Sequence, residues 1–118
     1  MNNIYIYVDD IRDDDAFFQH LPMFEGQHWD AILCRSAEEA IWFLNYYNDK
    51  ANIIIDLDHD LGEGHEMDDG MVASGYDVCK YIVENQIRLV GFHIHSMNPV
   101  GVANMRQLLT HYGYKEYF

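Results

Sequence analysis

A doubly wound α/β fold, with five parallel strands between layers of helices, is what this sequence predicts. Three observations lead there. Short runs rich in Ile, Val, Tyr and Phe alternate with segments of helical periodicity. Those runs are nearly continuous in apolar character, as expected of strands covered on both faces of a parallel sheet. Acidic and imidazole residues then gather directly after the runs, at the carboxyl ends where ligands bind in such sheets.

The elements follow in order. Ile4 to Val8 is a buried strand that stops at Asp9-Asp10. Asp13 to Leu21 reads as an acidic-started helix closed by Pro22. Trp29 to Leu33 gives the second strand. Ser36 with Glu39 three residues on forms a capping box ahead of Ile41, Trp42, Leu44 and Tyr47. Asn52 to Asp58, holding Ile53-Ile54-Ile55, is the central strand. Ser74 starts a helix whose apolar set is Tyr76, Val78, Cys79, Ile82 and Val83. Leu89 to His95 is the fourth strand. Asn98 to Tyr112 is a helix with Pro99 in its first turn, where a missing N–H costs nothing, and Gly113 ends it. Tyr114 to Phe118 is expected to add the fifth strand.

Length and composition bound the rest. At 118 residues and 49% hydrophobic, the chain holds one domain, residues 1–118, with a proper core. Twenty Asp and Glu against seven Lys and Arg leave a net charge of −13, which argues against binding duplex nucleic acid. The same field repels anionic substrates unless a cation offsets it. No basic start with an apolar run marks a secretion signal, and no stretch is long enough to span a bilayer. Cys34 and Cys79 stand far apart, as buried thiols of a reducing compartment rather than a disulfide. A cytoplasmic protein is expected, without membrane partners, and a homodimer stays open.

The chemistry sits at the strand ends. The first strand ends in Asp9-Asp10 with Arg12 after it, the third in Asp58-His59-Asp60, the fourth in His93-Ile94-His95-Ser96. Side chains alternate along a strand, so His93 and His95 leave the same face roughly 7 Å apart. Polar strand ends cost the fold unless they are paired or bind something. Asp9, Asp10, Asp58 and Asp60 are the candidate ligands of a divalent metal. Oxygen donors suit Mg²⁺, and an added imidazole moves the preference toward Mn²⁺, Zn²⁺ or Fe²⁺. His93, His95, Asp58 and Asp10 are the catalytic candidates. Arg12, Ser96, Asn98 and His59 are candidates for holding substrate, with the last helix start offering free N–H groups to an anion. Residues 62 to 74 form a connection longer than the usual βα loop of about 2–6 residues, a candidate lid.

This layout resembles the receiver domains of two-component signalling, whose acidic pair, phospho-accepting Asp and Ser or Thr match Asp9-Asp10, Asp58 and Ser96. The lysine such domains carry after the fifth strand is not evident, and the His-Ile-His segment is foreign to them. The chain more closely resembles the cyclic-phosphate processing receiver-like domains. The match runs through Val8-Asp9-Asp10-Ile11-Arg12, Ser36-Ala37-Glu38-Glu39-Ala40, Leu57-Asp58-His59-Asp60-Leu61-Gly62, Ser74-Gly75-Tyr76-Asp77 and His93-Ile94-His95-Ser96-Met97-Asn98-Pro99-Val100-Gly101. The resemblance implies a flavodoxin-like receiver fold and an enzyme acting on cyclic phosphates of nucleotides or ADP-ribose-like compounds. The expected activity is therefore a metal-assisted cyclic phosphodiesterase degrading a nucleotide signal, with viral counter-defence as one setting. A non-catalytic nucleotide-binding module and a phospho-accepting receiver are the alternatives.

Overall fold

The computed structural model describes residues 2–10, 28–61 and 74–117. Four parallel strands form the sheet: β1 (Asn2–Val8), β2 (Asp30–Cys34), β3 (Ala51–Leu57) and β4 (Gly91–Ile94), in the order β2-β1-β3-β4. Three helices connect or follow them: α1 (Ala37–Tyr47), α2 (Gly75–Glu84) and α3 (Pro99–His111). The strand order reverses direction beside β1, which creates the crevice between β1 and β3 at their carboxyl ends. The helix expected over residues 13 to 21, Arg12 and residues 62–73 of the candidate lid lie outside the described residues.

The helix starts are set by the residues the sequence nominated. Ser36 Oγ accepts the Glu39 N–H at 3.1 Å. The Ser74 N–H donates to Asp77 Oδ2 at 2.7 Å, the return half of a capping box. Asn98 Oδ1 accepts the Gly101 N–H at 2.9 Å, with Pro99 in the first turn.

Strand alternation sorts the core into two faces. Ile4, Ile6, Val8, Ile53, Ile55, Leu57, Phe92 and Ile94 join Ala40, Leu44, Val78, Cys79, Ile82, Met105 and Leu109 from the three helices in one cluster. Tyr5, Tyr7, Trp29 and Ile54 make a second, on the opposite face. All three described helices thus cover one face.

The five-strand expectation is corrected to four. Beyond α3 the Tyr114 N–H closes the helix end on the Leu109 carbonyl at 3.1 Å, and its hydroxyl reaches the Ile87 carbonyl at 2.6 Å. Those tasks hold the chain off the sheet until residue 115. It then meets β4 in a single parallel bridge, Phe92 with Glu116, through Phe92 N–H to Lys115 O (2.9 Å) and Tyr117 N–H to Phe92 O (2.7 Å). With β4 only four residues long, there is little edge left to pair.

Both cysteines are buried as free thiols in the helix-covered core. Burial, aided by the Glu39 charge, pushes the Cys34 thiol up to about 12, and burial pushes Cys79 up to about 12 as well. At pH 9, where an ordinary thiol is largely ionised, both remain protonated and shielded. We expect iodoacetamide to label neither cysteine in native protein at pH 9 over minutes, and both at once in 6 M guanidinium. Rapid native labelling, read by intact mass, would show this core to be open.

Candidate functional site

The site follows from the strand register. β1, β3 and β4 are aligned so that Val8, Leu57 and Ile94 stand side by side. The pairing continues one step further through Asp58 N–H to Val8 O (3.0 Å) and His95 N–H to Leu57 O (2.9 Å). The next residue on each strand is therefore Asp9, Asp58 and His95, in one row and on one face. A ligand atom from each of these three lies within 4.8 Å of the other two.

The row behind it is Tyr7, Asp56 and His93. Asp56 is fully buried in the middle of the sheet. Its carboxylate takes a close hydrogen bond from the Tyr5 hydroxyl and another with His95 Nδ1. The other ring nitrogen, Nε2, meets Asp9 Oδ2 at 3.0 Å, and the Tyr7 ring stacks on the imidazole at 4.5 Å, 4° from parallel. The His95 side chain is only 4% exposed. Burial is the largest influence on it and disfavours its charge. The hydrogen bonds and charges of Asp56 and then Asp9 act oppositely and together prevail, so the imidazole pKa stands above its ordinary value. Burial, reinforced by the Asp56 charge, pushes the Tyr5 hydroxyl far up, so it stays an O–H donor.

Two carboxylates and one imidazole nitrogen converging in this way fit a divalent cation. His95 would present Nε2 while Asp56 holds Nδ1–H, the carboxylate-behind-histidine arrangement of many metal sites.

The remaining candidates take other places. Asp10 is half-buried and outside the converging trio. His93 is half-buried on the same face as His95, one row deeper beside Asp56. Asp60 is exposed and bonds His59 Nδ1 at 2.9 Å. That hydrogen bond, with a smaller one from Asn98, holds its carboxyl below the ordinary value. Asn98 Nδ2 reaches His59 Nδ1 at 3.4 Å and Asp60 Oδ1 at 3.5 Å. Ser96 Oγ accepts the Asn98 N–H at 3.1 Å, which leaves its own hydrogen for a ligand. Three groups were missed by sequence reasoning. Asp56 and Tyr5 were absorbed into apolar strands, although Asp56 stands two residues before Asp58 and so shares its face. Arg35, after β2, was not singled out; its guanidinium donates to the Asp9 carbonyl at 3.4 Å and brings a cation to this edge.

Two glycines let the helices close on the Asp58-His59 step. A Cβ on Gly75 would overlap the Asp58 carbonyl oxygen, and the Gly75 N–H donates to the His59 carbonyl at 2.8 Å. A Cβ on Gly101 would come within 2.5 Å of the His59 ring. Backbone cannot yield as a side chain can. Gly75→Ala should therefore cost about 1–3 kcal/mol or more of stability, and Gly101→Ala distinctly less, by swinging His59 aside. Urea denaturation of both variants checks the order; equal losses would contradict it.

A parallel sheet in the order 2-1-3-4 with acidic groups at its carboxyl edge defines a receiver-type α/β domain. Over residues 4–111 the chain matches the cyclic-phosphate processing receiver domain, and it belongs to that family. Among solved structures it is similar to the signal receiver domain of a protein named as a Luxo repressor from Vibrio parahaemolyticus. The TM-score is 0.65 at 18% identity, over 100% of this chain and 78% of that one. A fusion carrying residues 181–211 of the yeast Spc42 trimeric coiled coil is similar too, with a TM-score of 0.58 at 17% identity, over 92% of this chain and 63% of that one. At such identities these two speak for the fold alone. No curated protein matches the chain in sequence. Among the described residues no helix is long and apolar enough to cross a membrane.

Proposed function

We propose that this domain hydrolyses a cyclic phosphodiester of a nucleotide or ADP-ribose-like small molecule, with a divalent cation held by Asp9, Asp58 and His95. The observation that carries this reading is the aligned row of those three residues, with Asp56 buried behind the imidazole. A row of carboxylates alone would serve a phospho-accepting receiver equally well. An imidazole locked into the same row adds a nitrogen donor with a fixed tautomer.

Ring opening joins a water oxygen to phosphorus and breaks one ring P–O bond. The water loses a proton and the departing sugar oxygen gains one. A bound cation would polarise a phosphoryl oxygen and make that water more acidic. The chain's own part is to hold and orient. Asp56 fixes the His95 ring through Nδ1, and the Tyr5 hydroxyl fixes Asp56. His95 must release its Nε2 proton to donate to a cation, so binding is coupled to proton release. Phosphate oxygens would be held by the Ser96 hydroxyl, the Asn98 amide and the guanidinium groups of Arg12 and Arg35. His93, on the same face and one row deeper beside Asp56, is the proposed proton carrier. Mn²⁺ suits this mixed donor set, with Mg²⁺ or Zn²⁺ as alternatives.

Two measurements test this. Calorimetry with Mn²⁺ should show one site, weakened about 10–100-fold in Asp56→Asn and within threefold of the unaltered protein in Asp60→Asn. The reverse pattern would move the cation to Asp60. Incubation with cyclic mono- and dinucleotides and Mn²⁺ should give ring-opened phosphomonoesters, reduced at least about 100-fold in Asp58→Asn and His93→Ala. Ligand bound but recovered intact would make this a binding module. Labelling of Asp58 by acetyl phosphate, without hydrolysis, would favour the phospho-accepting receiver.

A further inference from the structure

On the helix side of the same sheet edge lies a groove of about 680 Å³, lined by His59, Ser74, Tyr76, Asn104, Gln107, Leu108, His111 and Tyr112. We infer that it is the subsite for the nucleobase of the cyclic nucleotide, so that base-bearing substrates are preferred over base-free sugar phosphates. The inference rests on the hydrolytic reading above for the phosphate end of the ligand.

Four observations support it. The volume lies within the roughly 300–1,000 Å³ of small-molecule clefts. Asn104, Gln107, Leu108 and His111 recur at helical spacing and form one stripe of α3. That stripe sets two amides, each offering donors and an acceptor, beside an apolar side chain. Amides of this kind match the donor and acceptor edge of a base, and the aromatic rings of Tyr76 and Tyr112 offer faces for stacking. None of the lining residues is Asp, Glu, Lys or Arg, in a chain of net charge −13. A lining without carboxylate, ammonium or guanidinium groups beside an acidic edge suits the uncharged part of a nucleotide better than its phosphate.

The groove also connects to the row. His59 lines the groove and is the residue next to Asp58, so one chain segment serves both places. Alternation sends the Asp58 side chain to one face and the His59 ring toward Gly101 on the other. A ligand lying over this step would have its phosphate at the row and its base in the groove. Asn104 and Gln107 are exposed on α3.

The test uses two probes with Mn²⁺ present: 2′,3′-cyclic AMP, and the 2,3-cyclic phosphate of methyl riboside, which lacks the base. In the unaltered protein the first should bind at least tenfold more tightly. The double variant Asn104→Ala with Gln107→Ala sits on an exposed helix face where alanine favours folding, and circular dichroism confirms its fold. It should lose at least fivefold for 2′,3′-cyclic AMP and remain within twofold for the methyl riboside. Equal affinities in the unaltered protein, unchanged binding in the variant, or binding of neither probe would overturn the subsite. Hydrolysis of both probes without discrimination would leave the hydrolytic reading standing and remove only the base site. Discrimination retained without hydrolysis of either probe would keep the base site and remove the hydrolytic reading.

Discussion

The parallel register of β1, β3 and β4 is the constraint on which the rest of this molecule depends. Once Val8, Leu57 and Ile94 are level, Asp9, Asp58 and His95 must be level too, because every strand advances by the same rise. A slip of one residue on any strand would turn its polar group toward the helices and its apolar partners toward the crevice. Ile4, Ile6, Val8, Ile53, Ile55 and Leu57 fill the helix-covered core while Tyr5, Tyr7 and Ile54 fill the other face, so a slip would exchange aromatic for aliphatic side chains in two packed layers. The hydrophobic core therefore sets the site's geometry, and the site adds polar groups only where the core has already fixed their direction.

Asp56 is the exception, since it places a carboxylate inside the sheet itself. An isolated charge there would cost several kcal/mol. It persists because the Tyr5 hydroxyl and His95 Nδ1 bind its two oxygens. The arrangement is useful only if His95 must be held in one orientation. A cap, a surface imidazole or a simple phospho-acceptor would need no such brace. The Tyr7 ring, stacked flat on the imidazole, removes the remaining rotational freedom.

Much of the fold was legible because periodicity and capping report on local geometry. The Ser36–Glu39 and Asn98–Pro99 signals placed two helix starts at the residues where the structure has them. Tyr114 to Phe118 misled because its strand-like composition carries no information on where the chain must travel after α3. The acidic strand ends were readable as polar residues terminating apolar runs. Asp56 was not, since a single acid inside Ile-Ile-Ile-Asp-Leu is absorbed into the apolar run that ends at Asp58. Its face, shared with Asp58 and His95, becomes evident only once the register is known.

Net charge supplies the last step. At −13, a total that includes the Asp9 and Asp56 carboxylates flanking the imidazole, the chain opposes the approach of a phosphodiester to this edge. Among the described residues, the Arg35 guanidinium is engaged by the Asp9 carbonyl at 3.4 Å. That guanidinium and a protonated His95 together still do not balance Asp9, Asp56, Asp58 and Asp60. On the proposed reading, a divalent cation in the row would reverse the local field where the carboxylates converge and so favour the approach of a phosphate. The acidity that argues against duplex nucleic acid is thus compatible with the small cyclic phosphate proposed as substrate. On that reading the phosphate end would depend on a cation, while an uncharged base in the groove beyond His59 would feel the field far less.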